Sequence, residues 1–67
     1  MANVVKVIEV LAQSNKSWED AAAEAVKKAS KTLQNIQSVY IMHMEAKVEN
    51  NKITQYGVNA KISFLLE

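Results

Sequence analysis

The sequence contains no cysteine and no proline, and its 67 residues include one glycine, one histidine and one tryptophan. Without cysteine the chain has no disulfide and no thiolate metal site, and a single histidine argues against a zinc site built by one chain. A domain of this size buries only about 60% of the surface that its unfolded chain exposes, so its own core is marginal. Association with further copies is the remaining way to gain stability.

The charges nearly balance, and no apolar run is long. The net charge of +1 is too small to predict a nucleic-acid or membrane-surface partner. No apolar run approaches the roughly 20 residues of a membrane-spanning helix. Because Lys6 and Glu9 interrupt the N-terminal stretch and no basic leader precedes it, the stretch is not typical of a signal peptide. We expect a soluble, cytoplasmic protein with no nucleic-acid partner and no membrane association.

The sequence offers no arrangement of residues typical of an active site. It has no cysteine nucleophile, no glycine-rich phosphate loop and no serine with an identifiable base. We therefore expect a protein that is not an enzyme.

Residues 4–12, VVKVIEVLA, predict a first strand because they are rich in β-branched side chains. Apolar side chains occur at both odd and even positions, which indicates a strand that is covered on both faces. In a domain with one sheet and one helix, the second cover must come from another subunit.

A helix is predicted from Trp18 onward, with Ser17 and Asp20 forming an N-cap pattern. Apolar residues recur at spacings of three and four, which places them on one helical face: Trp18, Ala22, Ala25, Val26, Ala29, Leu33 and Ile36. The three alanines of this face form a shallow inward strip, and Ala21 and Ala23 lie beside or outside it. Small residues on this face predict a helix lying close to a strongly curved sheet.

Two further strands are predicted in the second half of the chain. Apolar and polar residues alternate over 53–66 and again over 40–48, which is typical of half-buried strands. The segment 50–52, Asn-Asn-Lys, predicts a hairpin turn; a three-residue loop pairs Val48 with Thr54 and Met44 with Val58. Gly57, inside the last strand, indicates a bulge, a bend or a close approach by another group.

The predicted fold is therefore α+β, of order β-α-β-β, with residues 1–67 as a single domain. A three-stranded antiparallel curved sheet wraps around one helix. In this order and length the chain resembles the dodecins, and the resemblance is carried by KVIEVLAQSNKSW, AAAEAVKKASKTL and YGVNAKISFLLE. It implies assembly into a hollow homododecamer that binds or stores a small molecule.

The resemblance also implies a flavin (FMN, FAD or riboflavin) as the first expected ligand, stacked between aromatic residues of neighbouring subunits. In that family a tryptophan at the start of the second strand and a glutamine on the third strand contact the ring. Alignment places Ser38 and Gly57 at these two positions, and Gln55 and Tyr40 lie two residues away from them. We expect these four residues to form a degenerate flavin site.

Calcium is the alternative ligand. The segment SWEDAAAEAV, with Trp18 at the start of the helix, is similar to a branch of the family in which the flavin-stacking tryptophan is absent and calcium binding has been described. The metal ligands are not assigned by the sequence, and the available carboxylates are Glu9, Glu19, Asp20, Glu45, Glu49 and Glu67. Trp18 is expected to pack against the sheet or a neighbouring subunit, and His43 to lie on a polar strand face. A purely structural oligomeric module is the third reading.

Overall fold

The computed structural model describes residues 3–66, which form an open antiparallel sheet and one helix. The elements in chain order are β1 (Val5–Ser14), α1 (Trp18–Ala29), β2 (Ile36–Glu49) and β3 (Lys52–Leu65). The strand order in the sheet is β1-β3-β2, so the last strand of the chain is the central one and the helix connects the two edge strands. This arrangement confirms the predicted fold class. Within residues 3–66 no helix is both long enough and apolar enough to cross a membrane.

The start of α1 is fixed by hydrogen bonds of two serines. Ser17 has an extended backbone, and its Oγ accepts from the Asp20 backbone N–H at 2.9 Å, which confirms the predicted N-cap. Ser14, the buried last residue of β1, donates from its Oγ to Asp20 Oδ2 at 2.6 Å. The same Ser14 Oγ accepts from the Lys16 backbone N–H at 2.9 Å. The β1–α1 connection is thus tied to the first turn of the helix.

The helix is shorter than its apolar spacing predicts. It ends at Ala29, and Leu33 and Ile36, which were predicted to continue its face, lie outside it. The Leu33 backbone N–H still donates to the Ala29 carbonyl at 2.8 Å, so the chain closes one further turn. Asn35 then adopts a left-handed backbone with φ of 61°, which reverses the chain into β2.

The alanines of α1 are arranged differently from the prediction. Ala21, placed beside the inward strip by its spacing, is fully buried, whereas the three strip residues Ala22, Ala25 and Ala29 are only half-buried. The reason is that the strip residues line open grooves on either side of the helix, so the centre of the contact lies at Ala21. The helix therefore rests on the sheet through its first half.

The hairpin turn between β2 and β3 has two residues, one fewer than predicted. Asn50 and Asn51 both have positive φ, 51° and 65°, as a type I′ turn requires. The two turn residues lie between Glu49 and Lys52, which pair with each other. Asparagine was correctly identified as the turn residue, because its short side chain tolerates the left-handed conformation.

The predicted hairpin register is right in the middle of the hairpin, over residues 43–47 of β2, and is wrong at the tip and again from Ile41 back to Ile36. Val48 lies opposite Ile53, not Thr54, because the turn is one residue shorter. The register shifts by one residue between Lys47 and Val48, which compensates for the shorter turn. Met44 therefore lies opposite Val58, as predicted.

The core lies between α1 and one face of β3. Four alternating residues of β3 are buried there, which confirms the predicted alternation: Val58, Ala60, Ile62 and Phe64. This face is called the inner face, and the opposite face of the sheet, which carries Gln55, Gly57, Asn59, Lys61 and Ser63 of β3, is called the outer face.

The chain is elongated and exposes much apolar surface. It measures 54 × 20 × 13 Å with a radius of gyration of 13.9 Å, whereas a compact domain of this length has about 11 Å. Its accessible surface is 5200 Å², against about 4,200 Å² for a monomeric protein of its mass. On β1, the side chains of Val5, Val7 and Leu11 are 48%, 51% and 76% exposed. A single copy therefore leaves one face of β1 uncovered.

Candidate functional site

The four residues predicted for ligand binding all lie on the outer face. Ser38 of β2 pairs with Ser63, and Tyr40 pairs with Lys61. Gln55 and Gly57 belong to the central strand itself. Since directly paired residues share a face of the sheet, the four side-chain positions point away from α1.

The structure separates these residues into two groups at opposite ends of the outer face. Ser38 and Tyr40 lie near Ser63 and Lys61, whereas Gln55 and Gly57 lie toward the hairpin tip. Along β3, Gln55 and Ser63 are eight residues apart, which corresponds to roughly 27 Å. One ring-sized ligand therefore cannot contact both Ser38 and Gln55 of the same chain.

The end of the outer face near Ser38 is small and polar. The Ser38 and Ser63 hydroxyls are 2.5 Å apart and share a hydrogen bond across the β2–β3 pair. Tyr40, two residues further along β2, is 66% exposed and presents the aromatic ring of this end. The pair of serines offers hydroxyl groups but no stacking surface.

Gly57 lies at the other end, in a regular part of the sheet. The register shifts lie between Ile36 and Ser38, between Ile41 and His43, and between Lys47 and Val48, and none of them is at Gly57. A bulge, one of the alternatives that the sequence offered for this glycine, is therefore not observed, and its φ is not positive.

The space beside Gly57 is taken by its cross-strand partner, Glu45. A Cβ added at Gly57 would lie 3.2 Å from Glu45 Cγ and 3.4 Å from Glu45 Oε1. Gly57 is consequently buried although it lies on the outer face. Of the three alternatives that the sequence offered for this glycine, close approach by another group is the one observed.

Glu45 is held from the inner side of the sheet by Trp18. The Trp18 indole N–H donates to the Glu45 carbonyl at 2.8 Å. The Trp18 ring also meets Tyr56 edge to face, with ring centroids 4.8 Å apart and planes at 78°. Trp18 thus packs the start of α1 against β2 and β3, as expected for a packing residue.

Two polar residues, Asn59 and His43, lie in the middle of the outer face. Asn59 lies between Leu11 of β1 and His43 of β2, and its Oδ1 is buried without a hydrogen-bond partner. His43 is exposed on this polar face, as predicted. The face therefore carries an acceptor oxygen that no group among residues 3–66 satisfies.

The carboxylates considered for calcium are scattered over the chain. Glu9 pairs with Lys61 on the outer face, Glu45 lies over Gly57, and Glu49 is at the hairpin tip. Among residues 3–66 no group of three or more histidine or carboxylate side chains is close enough to hold one metal ion. Glu67 lies outside the described residues.

Two open apolar grooves flank α1 on the inner face. One, of about 540 Å³, runs between the helix and β1, where Ile8, Val10 and Ala25 line it and Lys28 is at its rim. The other, of about 460 Å³, lies between the helix start and β2, next to Trp18. Both grooves are uncovered apolar surface of the single chain.

Comparison with known proteins places the chain in one family. The family model described as Dodecin matches residues 4–67. Calcium dodecin from Mycobacterium tuberculosis is 32% identical over 62 residues, which cover 92% of this chain and 87% of the relative. A solved structure of dodecin from Streptomyces coelicolor matches with a TM-score of 0.92 at 26% identity, over 97% of this chain and 93% of that one.

A solved calcium dodecin from M. tuberculosis is also similar to this chain. It matches with a TM-score of 0.82 at 34% identity, over 96% of this chain and 91% of that one. That protein is described as a calcium-chelating antigen with a novel calcium-binding site. The solved relatives share the fold of this chain, and the M. tuberculosis protein is the one whose name gives a ligand, calcium.

Proposed function

Because the chain belongs to the dodecin family, we propose that it is a non-enzymatic binding protein of the cytoplasm. Its single domain, residues 1–67, assembles into a hollow homododecamer that sequesters a small ligand at subunit interfaces. The observation that carries the proposal is the uncovered outer face of β1, where Val7 and Leu11 are 51% and 76% exposed. Apolar strand residues in this state are typical of a surface that a neighbouring copy covers.

Calcium is the ligand that we place first. It is supported by the 32% identity to a calcium dodecin and by the oxygen acceptors of the outer face. These include the Glu45 carboxylate over Gly57 and the unpartnered Oδ1 of Asn59. Calcium takes six to eight oxygen ligands in proteins, so several copies must contribute to one site.

Flavin, the ligand first expected from the sequence, is the second candidate. Tyr40 offers an exposed ring and Gln55 an amide on the outer face. Against it, the expected stacking and ring-edge positions carry Ser38 and Gly57, and Glu45 covers the latter. Loss of aromatic stacking removes roughly 0.5–1.5 kcal/mol beyond the loss of burial.

The test is thermal melting at fixed protomer concentration with added calcium, with a chelator and with each flavin. We expect calcium to raise the melting temperature and the chelator to lower it, because a ligand that binds only the folded state stabilises it. FMN and riboflavin are expected to have small effects. A melting temperature that calcium and chelator leave unchanged contradicts the calcium proposal, and a larger stabilisation by flavin reverses the order of the two ligands.

A further inference from the structure

The only glycine of the chain is not required by the backbone at its position. Gly57 lies inside the central strand with a φ that is not positive, and no register shift occurs there. Glycine within a strand is destabilising relative to alanine, because it loses more conformational freedom on folding. Glycine is required instead because a Cβ at this position would narrow the space next to Gly57.

That space seats the side chain of Glu45. The Glu45 side chain lies 3.2–3.4 Å from the place of the missing Cβ, so it crosses from the edge strand β2 toward the central strand. The residue is anchored at its carbonyl by the Trp18 indole N–H, 2.8 Å away. The carboxylate is thereby positioned over the middle of the sheet instead of extending from its edge.

The neighbours of Glu45 on the outer face are mostly amide side chains, which carry no charge and can both donate and accept hydrogen bonds. Gln13 pairs with Gly57 from the β1 side, and Gln55 and Asn59 lie two residues from Gly57 along β3. The Asn59 Oδ1 is buried and unpartnered. Lys47, opposite Gln55, is the positively charged residue that the register places nearest to Glu45. Its exposed, flexible side chain neutralises the negative charge of the Glu45 carboxylate only in part.

We propose that Glu45, seated over Gly57, determines the charge selectivity of the outer face. It favours cations and ligands that present N–H donors, and it excludes anionic ligands. This inference rests on the proposed function only in that a ligand meets the outer face. Like charges placed together at an interface repel each other, so one carboxylate at this position lowers the affinity for an anionic ligand relative to a neutral one.

The test compares FMN with riboflavin, which share a ring system and differ by an anionic phosphate. Binding is measured by flavin fluorescence at low ionic strength for the wild type and for Glu45→Gln, which keeps the shape and removes the charge. Glu49→Gln is the matched control, because Glu49 is exposed on the same strand at the hairpin tip. Gly57→Ala is a second variant, which displaces the carboxylate without removing it.

We expect Glu45→Gln to bind FMN about tenfold more tightly than the wild type does, a change of about 1.4 kcal/mol. Riboflavin affinity should change by less than about twofold, and the gain for FMN should shrink in high salt. Gly57→Ala should shift FMN binding in the same direction, and Glu49→Gln should not.

An equal FMN-to-riboflavin affinity ratio in the wild type and Glu45→Gln overturns the inference. A failure of every variant to bind either flavin also overturns it, because removal of the Glu45 carboxylate then does not allow FMN to bind. The calcium melting experiment is done on the wild type alone, so its failure contradicts the proposed ligand and leaves the gain of FMN binding as an independent result.

Discussion

The substitution Leu11→Asp tests whether the outer face of β1 is exposed to solvent or covered by another subunit. In the single chain Leu11 is 76% exposed. The substitution then loses only about a quarter of the roughly 1.5–3 kcal/mol of a fully buried leucine, or about 0.5 kcal/mol. In the proposed assembly a neighbour covers this side chain, so the whole apolar contribution is lost and a carboxylate is buried without a partner. That adds several kcal/mol for each protomer.

The two cases differ in melting and in assembly. A loss of 0.5 kcal/mol lowers the melting temperature of a domain of this size by about 2–4 °C, whereas loss of the interface leaves unfolded or insoluble chains. Sedimentation velocity and thermal melting of Leu11→Asp distinguish the two outcomes, with Gln34→Asp, in the exposed connection after α1, as the control. If Leu11→Asp sediments as the wild type does and melts within a few degrees of it, the face of β1 is not an interface.

Three further substitutions test individual contacts by thermal melting at fixed protomer concentration. Trp18→Phe removes the indole N–H that bonds the Glu45 carbonyl and should cost about 1 kcal/mol; no loss of stability contradicts the anchoring role. Ser17→Ala removes the N-cap acceptor and should also cost about 1 kcal/mol, while Ser17→Asp should retain most of the stability. Gly57→Ala should stabilise the Glu45→Ala background by about 0.5–1 kcal/mol and the wild type by less, and equal effects in the two backgrounds contradict the observed contact.

The order and type of the elements could be predicted because local signals and packing agree there. The alternation along β3 places Val58 and Ile62 in the core, where they are found. Ser17 marks the start of α1 because its hydroxyl accepts from a backbone N–H of the first turn that has no partner within the helix. These signals are short in range, so they can be read without knowledge of the tertiary structure.

The end of the helix and the tip of the hairpin could not be placed in the same way. Leu33 and Ile36 continue the helical spacing, and no glycine or proline precedes them to end the helix; the reversal depends on Asn35 adopting positive φ. At the hairpin, two asparagines support either a two- or a three-residue loop. The register shift beside Val48 compensates for the short turn, and nothing in the sequence indicates it.

The candidate site was predicted only in part for a different reason. Gly57 was singled out, but its occupant Glu45 was counted only as one of several scattered carboxylates. A signal was present, because the predicted Met44–Val58 pair already places Glu45 opposite Gly57, as observed. The same predicted register also separates Ser38 from Gln55 along the hairpin. What the sequence could not indicate is the side-chain conformation that brings Glu45 over Gly57.

The most direct test of the proposed assembly is native mass spectrometry of the protein purified without denaturation. We expect one species of about 90 kDa, which is the proposed dodecamer of the 7.5 kDa chain, because further copies must cover the exposed strand face in a closed symmetric assembly. A 7.5 kDa monomer that persists at micromolar concentration and melts cooperatively contradicts it.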